Sequence, residues 1–544
     1  MPTTPLIPER GPDGWRFSLG DGEALVAADG CAATHPDRPD HRYDAGGGTP
    51  RLVVDGVERT CRLERHGADL DEVDLTWVVD GLPALRLLVR HSVGGTWLQR
   101  YTLDHAGPEP LVVDRLTVGP EPRGDSGSAA VWALAAGAEA FWLTQPADGA
   151  GPVLAAVLQH GEVDGFGPQG WRTGPVRLEP GGRFVLQWQL DWSASAGVFE
   201  RRRASVLPAR TIFPEHEPCE IAGTDAAVVA ADVAVGTEGE VTVLQGDRGT
   251  HRVELRAARG TVRFAVSWVR PVGDWVRAAG ERWLTGDRTP SGVVRLPGAA
   301  AALVLQADHG RLADPDGPAA EALQRLTARL LDRDPGPEPD AFELALLAGE
   351  ALRTGDPDCA TAARAGVLAA ERPVPGLGLA TTRVGLAALA AGRPIGDLVD
   401  HVGRLAVDPT GPSPDPSDAT ERAGVVAARL ELVLISRRQA ARVGDDLIGL
   451  VRELGTAVGG GLPGGPPVPW PADRLAHVAA VLGMVPEAGA GGLTRWCLLG
   501  PQALADQVRR RALAALDAPP AGAEPPDAVL APTLAWLVLG QPPV

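Results

Sequence analysis

Two glutamates stand out by the company they keep. Glu431 sits in the stretch Val425 to Ile435, VVAARLELVLI, which is apolar on nearly every side. Burial there would raise its pKa, as a general acid requires. Glu350 lies seven residues after Glu343 on the same face of an otherwise apolar helical stretch. Glu343 has a ready role as a cap, so Glu350 is the odder of the two. Cleaving a glycosidic bond takes two carboxyl groups flanking a cleft, and Glu350 with Glu431 is the candidate pair. Trp470, Asp473 and Arg474 follow the longest glycine- and proline-rich run, GGGLPGGPPVPW over 459–470. That is a rim position, where an indole and two polar side chains could hold a substrate. Each carboxylate also has an ordinary reading as a cap, a surface charge or half of an ion pair with a nearby arginine.

Other chemistry-bearing patterns are weaker. Gly124-Asp125-Ser126-Gly127 copies the residues around a trypsin-like nucleophile, but the sequence that would carry its base is missing. His35, Asp37, Asp40, His41 and Asp44 cluster in HPDRPDHRYD without tetrahedral metal-site spacing. Glu215, His216, Glu217, Cys219 and Glu220 read as a turn, and Asp314 with Asp316 is only a fragment of a calcium loop. Gly376 and Gly378 form an incomplete GxG outside any βαβ unit, and the run 459–465 lacks the lysine of a P-loop. No metal and no cofactor is expected.

The elements that must position these residues divide the chain in two. The clearest signal is Phe184 to Trp192, FVLQWQLDW. Phe184, Leu186, Trp188, Leu190 and Trp192 alternate with Val185, Gln187, Gln189 and Asp191, the period of a β-strand. Its tryptophan face suits a core strand better than a sugar platform. From Trp15 onward short strands alternate with turns; Asp55-Gly56 and Asp80-Gly81 mark hairpins. Trp97–Leu103 is a strand, residues 105–110 a turn, and Leu111–Val118 a second strand. This pattern predicts a large antiparallel β-sandwich over 1–205. Residues 206–310 continue in β, as a completion or a small second sandwich, with a helix over Asp274–Leu284; 293–305 is ambiguous. From about Pro318 the text turns Ala/Leu-rich with helical caps, and 311–544 is expected to be an all-α domain of packed hairpins. The fold class is therefore multidomain, β then α.

Composition narrows the function. The formal net charge is −18, which gives no electrostatic reason to hold nucleic acid or an anionic membrane. The chain has no Lys and no Asn, and only two Tyr and two Met, so its 14 Trp partly reflect a GC-rich genome. No apolar run reaches the roughly 18–20 residues of a membrane span. The N-terminus lacks the form of a secretory signal. Five scattered cysteines with no CxxC pair suit a reducing, cytoplasmic setting.

One resemblance adds to this. Trp97-Leu98-Gln99-Arg100-Tyr101-Thr102-Leu103 followed by Gly107-Pro108-Glu109-Pro110-Leu111-Val112-Val113-Asp114-Arg115 is similar to a strand pair in the N-terminal sandwiches of α-galactosidase-like enzymes. Leu178-Glu179-Pro180-Gly181-Gly182 resembles the turn before a late strand of the same sandwiches. Related sandwiches, of galactose-mutarotase type, precede an (α/α) toroid in glucoamylase-like and glycoside-phosphorylase families. His105-Ala106 stands where Asn is usual. The resemblance covers about residues 10–275. It implies a carbohydrate-active protein whose helical part carries the acid and base. That part is short for twelve helices and poor in aromatics. Three readings stay open: a cytoplasmic glycoside hydrolase, a non-catalytic relative that binds a glycan or a protein, and an unrelated β-plus-α interaction protein. Carbohydrate or protein is the expected ligand class.

Overall fold

The computed structural model describes residues 8–119, 129–146, 151–167, 170–203, 205–208, 210–222, 226–286, 294, 296–308, 315–333, 336–407, 419–435, 470–485, 501–517 and 525–540. Strands fill the first half and helices the second, in the order that the sequence pattern predicts.

The strand Arg183–Ser193 lies in the middle of an eight-stranded antiparallel sheet. The sheet runs Ala129–Ala136, Glu139–Pro146, Val153–His160, Arg183–Ser193, Trp97–His105, Leu82–Val93, Glu72–Val79, Cys61–Asp69. Leu186, Trp188 and Leu190 are fully buried, and Phe184 and Trp192 pack at the ends of the row. The Trp188 ring lies 4.9 Å from both Trp142 and Trp171, so the alternating face is core. Trp192 donates its indole N–H to the Leu19 carbonyl at 2.9 Å and ties this sheet to a five-stranded one, Glu9–Gly46. On the other face Gln187 and Gln189 are half-buried and Asp191 is exposed.

Both hairpins form where glycine and aspartate predict them. Asp55 and Gly56 have φ of 53° and 72°, the left-handed pair of a tight two-residue turn. Leu82 pairs with Val79 around Asp80-Gly81. The strands on either side of 105–110 do not pair. Trp97–His105 already has Leu82–Val93 on one edge and Arg183–Ser193 on the other. With both edges filled, the chain crosses over, and Leu111–Val118 joins a second sheet beside Arg51–Val54 and Val176–Leu178.

Residues 212–269 form two small sheets, one of four strands and one of three. They pack on the outer face of the large sheet. Along Glu139–Pro146 the side chains split between two cores: Ala140 and Trp142 face inward, while Phe141 and Leu143 face the small sheets. Gly137 joins the two bodies through bridges to Val163 and Val262. Its φ is 72°, and a Cβ there would lie 2.1 Å from the Thr261 carbonyl, so only glycine fits.

A helix, Val272–Thr285, leads to the third core, built mostly from helices, with Val269 and Ile212 of the small sheet at its edge. The ambiguous stretch is a helix over Ala299–Ala307. Asp340 caps Ala341–Thr354 by accepting from the Phe342 amide at 2.8 Å, and Gly355 ends it at φ 75°. The next helix, Pro357–Ala369, is capped by Asp356, which accepts from the Asp358 amide at 2.9 Å. Part of the expected all-α domain, 445–457 included, lies outside the described residues. No helix among the described residues is long and apolar enough to cross a membrane. At the β–α junction Arg270 lies 4.4 Å over Trp275, and Asp517 accepts from the Arg270 amide and the Arg248 guanidinium.

Candidate functional site

The structure puts Glu431 at the centre of the helical core, with no exposure. Its Oε1 accepts from the Gly376 amide at 3.0 Å; its Oε2 accepts from Gly378 at 3.0 Å and Leu379 at 3.2 Å. These are the free N–H groups at the start of the helix Leu377–Ala390, where the helix dipole favours an anion. His477 completes the shell through Nε2. Its ring lies 4.4 Å from Trp536. The two glycines read as an incomplete nucleotide motif thus do cradle an anion, but it is a carboxylate of the chain itself. Gly376 has φ 84°, and a Cβ on it would meet Trp536 at 2.2 Å.

Glu350 stands elsewhere in the same core, 3% exposed. It accepts from the Gln306 amide at 2.6 Å and pairs with Arg353, one turn away. Trp470 is buried, and Asp473 sits in the first turn of the helix Ala472–Gly483. The Arg474 guanidinium packs against Gly424. The structure links Glu431 to this helix through His477, and leaves Glu350 apart. None of the five residues lines any cavity described here.

The other sequence patterns resolve as structure. Residues 30–46 form a hairpin in which Arg38 pairs with Asp40 and His41 stacks edge-on to Tyr43. Among the described residues no group of three His, Cys, Asp or Glu could hold a metal ion. Cys31, Cys61, Cys219 and Cys359 are free and buried. The 124–127 segment and Cys497 lie outside the described residues.

A different constellation opens to solvent. Where the small sheets meet the large one, a groove of about 1130 Å³ runs along the junction. Cavities of about 570 Å³ on the N-terminal sheet and 510 Å³ among the helices are smaller. One ledge of the groove is His160, Glu162 and Asp164, where the chain leaves the strand Val153–His160 through Gly161 at φ 91°, with Val163 buried between the two carboxylates. The facing wall carries Arg252, Glu254 and Arg263 from the hairpin Gly249–Val269. Phe184, Val185 and Val176 supply an apolar patch, and Arg183 lies beside it.

Arg263 is the hub. It contacts Glu162 at 2.8 Å, Asp164 at 3.6 Å and Glu254 at 3.6 Å. The hydrogen bond from Arg256, with the charges of Arg256 and Arg263, holds the Glu254 carboxyl below the usual range. Glu162 is fixed a second time by the Thr261 amide at 2.8 Å. Three glycines let neighbouring groups pack closely against the ledge. A Cβ on Gly161 would meet the Val185 carbonyl at 2.7 Å; on Gly174, the Asp164 carboxylate at 2.3 Å; and Gly137 has no room either. Fixed carboxylates and guanidinium groups beside an apolar patch are suited to hydroxyl-rich ligands, which need both acceptors and donors. The sequence carries a trace of this site in His160-x-Glu162-x-Asp164 at the end of a strand. Its other half lies ninety residues later, and no local pattern joins the two.

No family model matches the chain, and no curated protein matches it. Solved structures do. A polysaccharide lyase aligns over 94% of this chain and 92% of its own, at 13% identity and a TM-score of 0.58. Two GH36 α-galactosidases of Geobacillus stearothermophilus, one in complex with raffinose, align over 37% and 38% of this chain and 45% of theirs. Their identities are 8% and 10%, and their TM-scores 0.23 and 0.24. Over nearly its whole length, then, the chain has the fold of the lyase.

Proposed function

We propose that this chain is a carbohydrate-binding protein whose glycan lies in the groove between the large and small sheets. The observation that carries this reading is the contrast in access. The groove's carboxylates and guanidiniums are open and rigidly placed, whereas Glu350 and Glu431 are spent inside the helical core. The whole-length likeness to a polysaccharide lyase supports carbohydrate as the ligand class. In this reading the parts 1–205 and 206–310 form the two walls of the groove. The part 311–544, a shortened toroid-like body of helical hairpins, braces them. Hydrolysis by Glu350 and Glu431 is the less favoured reading, because a substrate would have to displace Gln306 from one and three amides from the other. The buried unpaired thiols fit a cytoplasmic setting.

A glycan panel tests this by equilibrium binding and by the release of reducing ends. Binding without turnover is expected. Asp164→Asn and Glu162→Gln should each weaken binding about tenfold, the scale of a lost charged hydrogen bond. Glu350→Gln should leave affinity unchanged. Binding indifferent to the groove substitutions would reject the site.

A further inference from the structure

We infer that the groove takes an uncharged glycan and excludes polyanionic ones such as uronate or sulfated chains. This deepens the reading of the groove as a glycan site and rests on it.

Around Arg263 stand the carboxylates of Glu162, Asp164 and Glu254; Arg256 pairs with Glu254, so three carboxylates face two guanidiniums and Glu162 and Asp164 share Arg263 alone. Arg183 is held by Asp104 at 2.6 Å, from outside the groove. Arg252 is then the groove arginine with no ion pair among the described residues, and it stands two residues from Glu254 on the same strand. Asp164 lies 3.6 Å from Arg263, too long for a hydrogen bond, so its oxygens keep acceptor capacity. A hydroxyl can donate to that acceptor; a sugar carboxylate or sulfate cannot, and meets like charge instead. Glu162 is held on the ledge by Arg263 at 2.8 Å and the Thr261 amide at 2.8 Å. At longer range the chain's net charge of −18 repels a polyanion over the roughly 8 Å screening length of physiological salt.

This has a chemical consequence. Eliminating a glycosidic leaving group from a sugar ring needs a carbonyl-type substituent beside the carbon that loses its proton. The electron pair left by that proton becomes the new C=C bond as the C–O bond breaks. Uncharged glycans without a uronic ester lack that acidifying group, so elimination is not their chemistry in this groove.

The test is an array of matched oligosaccharides on the full chain. It pairs galacturonate hexasaccharide with its fully methyl-esterified form, and cellohexaose with its C6-oxidised counterpart. It also includes xylan, mannan and galactan oligomers with sulfated versions. The neutral member of each bound pair should bind at least tenfold tighter at low salt, with the gap narrowing at high salt. The folded double variant Glu162→Gln with Asp164→Asn should narrow the gap at low salt. Equal or tighter binding of the acidic member, lost in Arg252→Gln, would overturn the inference and leave the groove standing as a glycan site. No binding to any oligosaccharide would overturn the groove reading and this inference with it.

Discussion

The helical core and the groove use the same side chains to opposite ends. In the core, Glu431 receives three backbone amides and a histidine, and Glu350 receives a glutamine and an arginine. In the groove, Asp164 touches Arg263 at a distance too long for a hydrogen bond and faces solvent, while Glu254 is held by Arg256 at 3.0 Å. A carboxylate in an apolar helix must be satisfied by its own chain or it would not stay buried as an anion. One on a surface ledge can leave lone pairs for a ligand. Apolar surroundings therefore mark where a carboxylate is needed for folding, and they are a poor guide to where it meets a substrate.

Substitutions should separate the two regions, the largest effect first. Glu431→Leu strands His477 and three amides and should cost about 3–5 kcal/mol, read from urea unfolding. If the loss is under about 1 kcal/mol, the core reading of Glu431 fails. A buried histidine gives a second test. His91 is fully buried, accepts from the Trp97 indole at Nδ1, and is pushed down to about 3 by burial. The unfolded chain takes up this proton near pH 6.5 and the folded chain does not. Stability should fall as pH drops from about 6.5 toward 3, by up to about 1.4 kcal/mol per pH unit from this group. His91→Gln should flatten that slope in denaturation curves taken across the range.

Gly378→Ala puts a Cβ 2.5 Å from that of Glu431, and about 1–3 kcal/mol of strain is expected in thermal unfolding. Glu350→Gln should cost about 1–3 kcal/mol, since it loses the Arg353 pair in a buried setting. The smallest effect belongs to the groove. Asp164→Asn, half exposed, should change stability by less than about 0.5 kcal/mol while weakening glycan binding. A stability loss as large as that of Glu431→Leu would make the ledge structural and erase the contrast.

The sequence made the architecture readable wherever one element could speak for itself. The period of two in 184–192 and the Asp-Gly turns carry local physics, and so does the switch to helical caps at Asp340 and Gly355. What it could not carry was partnership. Nothing near Leu111 says that both edges of Trp97–His105 are already filled. Nothing near Glu431 says that Gly376 and Gly378 wait fifty residues upstream. The groove is the extreme case, since Glu162 and Arg263 meet only through Gly137 and a hairpin a hundred residues away.

The strand Glu139–Pro146 has a consequence for how the chain comes into being. It serves two cores, with Trp142 on one side and Phe141 and Leu143 on the other. During synthesis the large sandwich can close only one of those faces. The other stays wet and apolar until about Val269 has emerged. A chain truncated near residue 205 would carry this bare face permanently and should self-associate, whereas one ending after the small sheets should not. The small sheets are thus a lid that the sandwich needs before it is safe in solution, whatever the groove between them later holds.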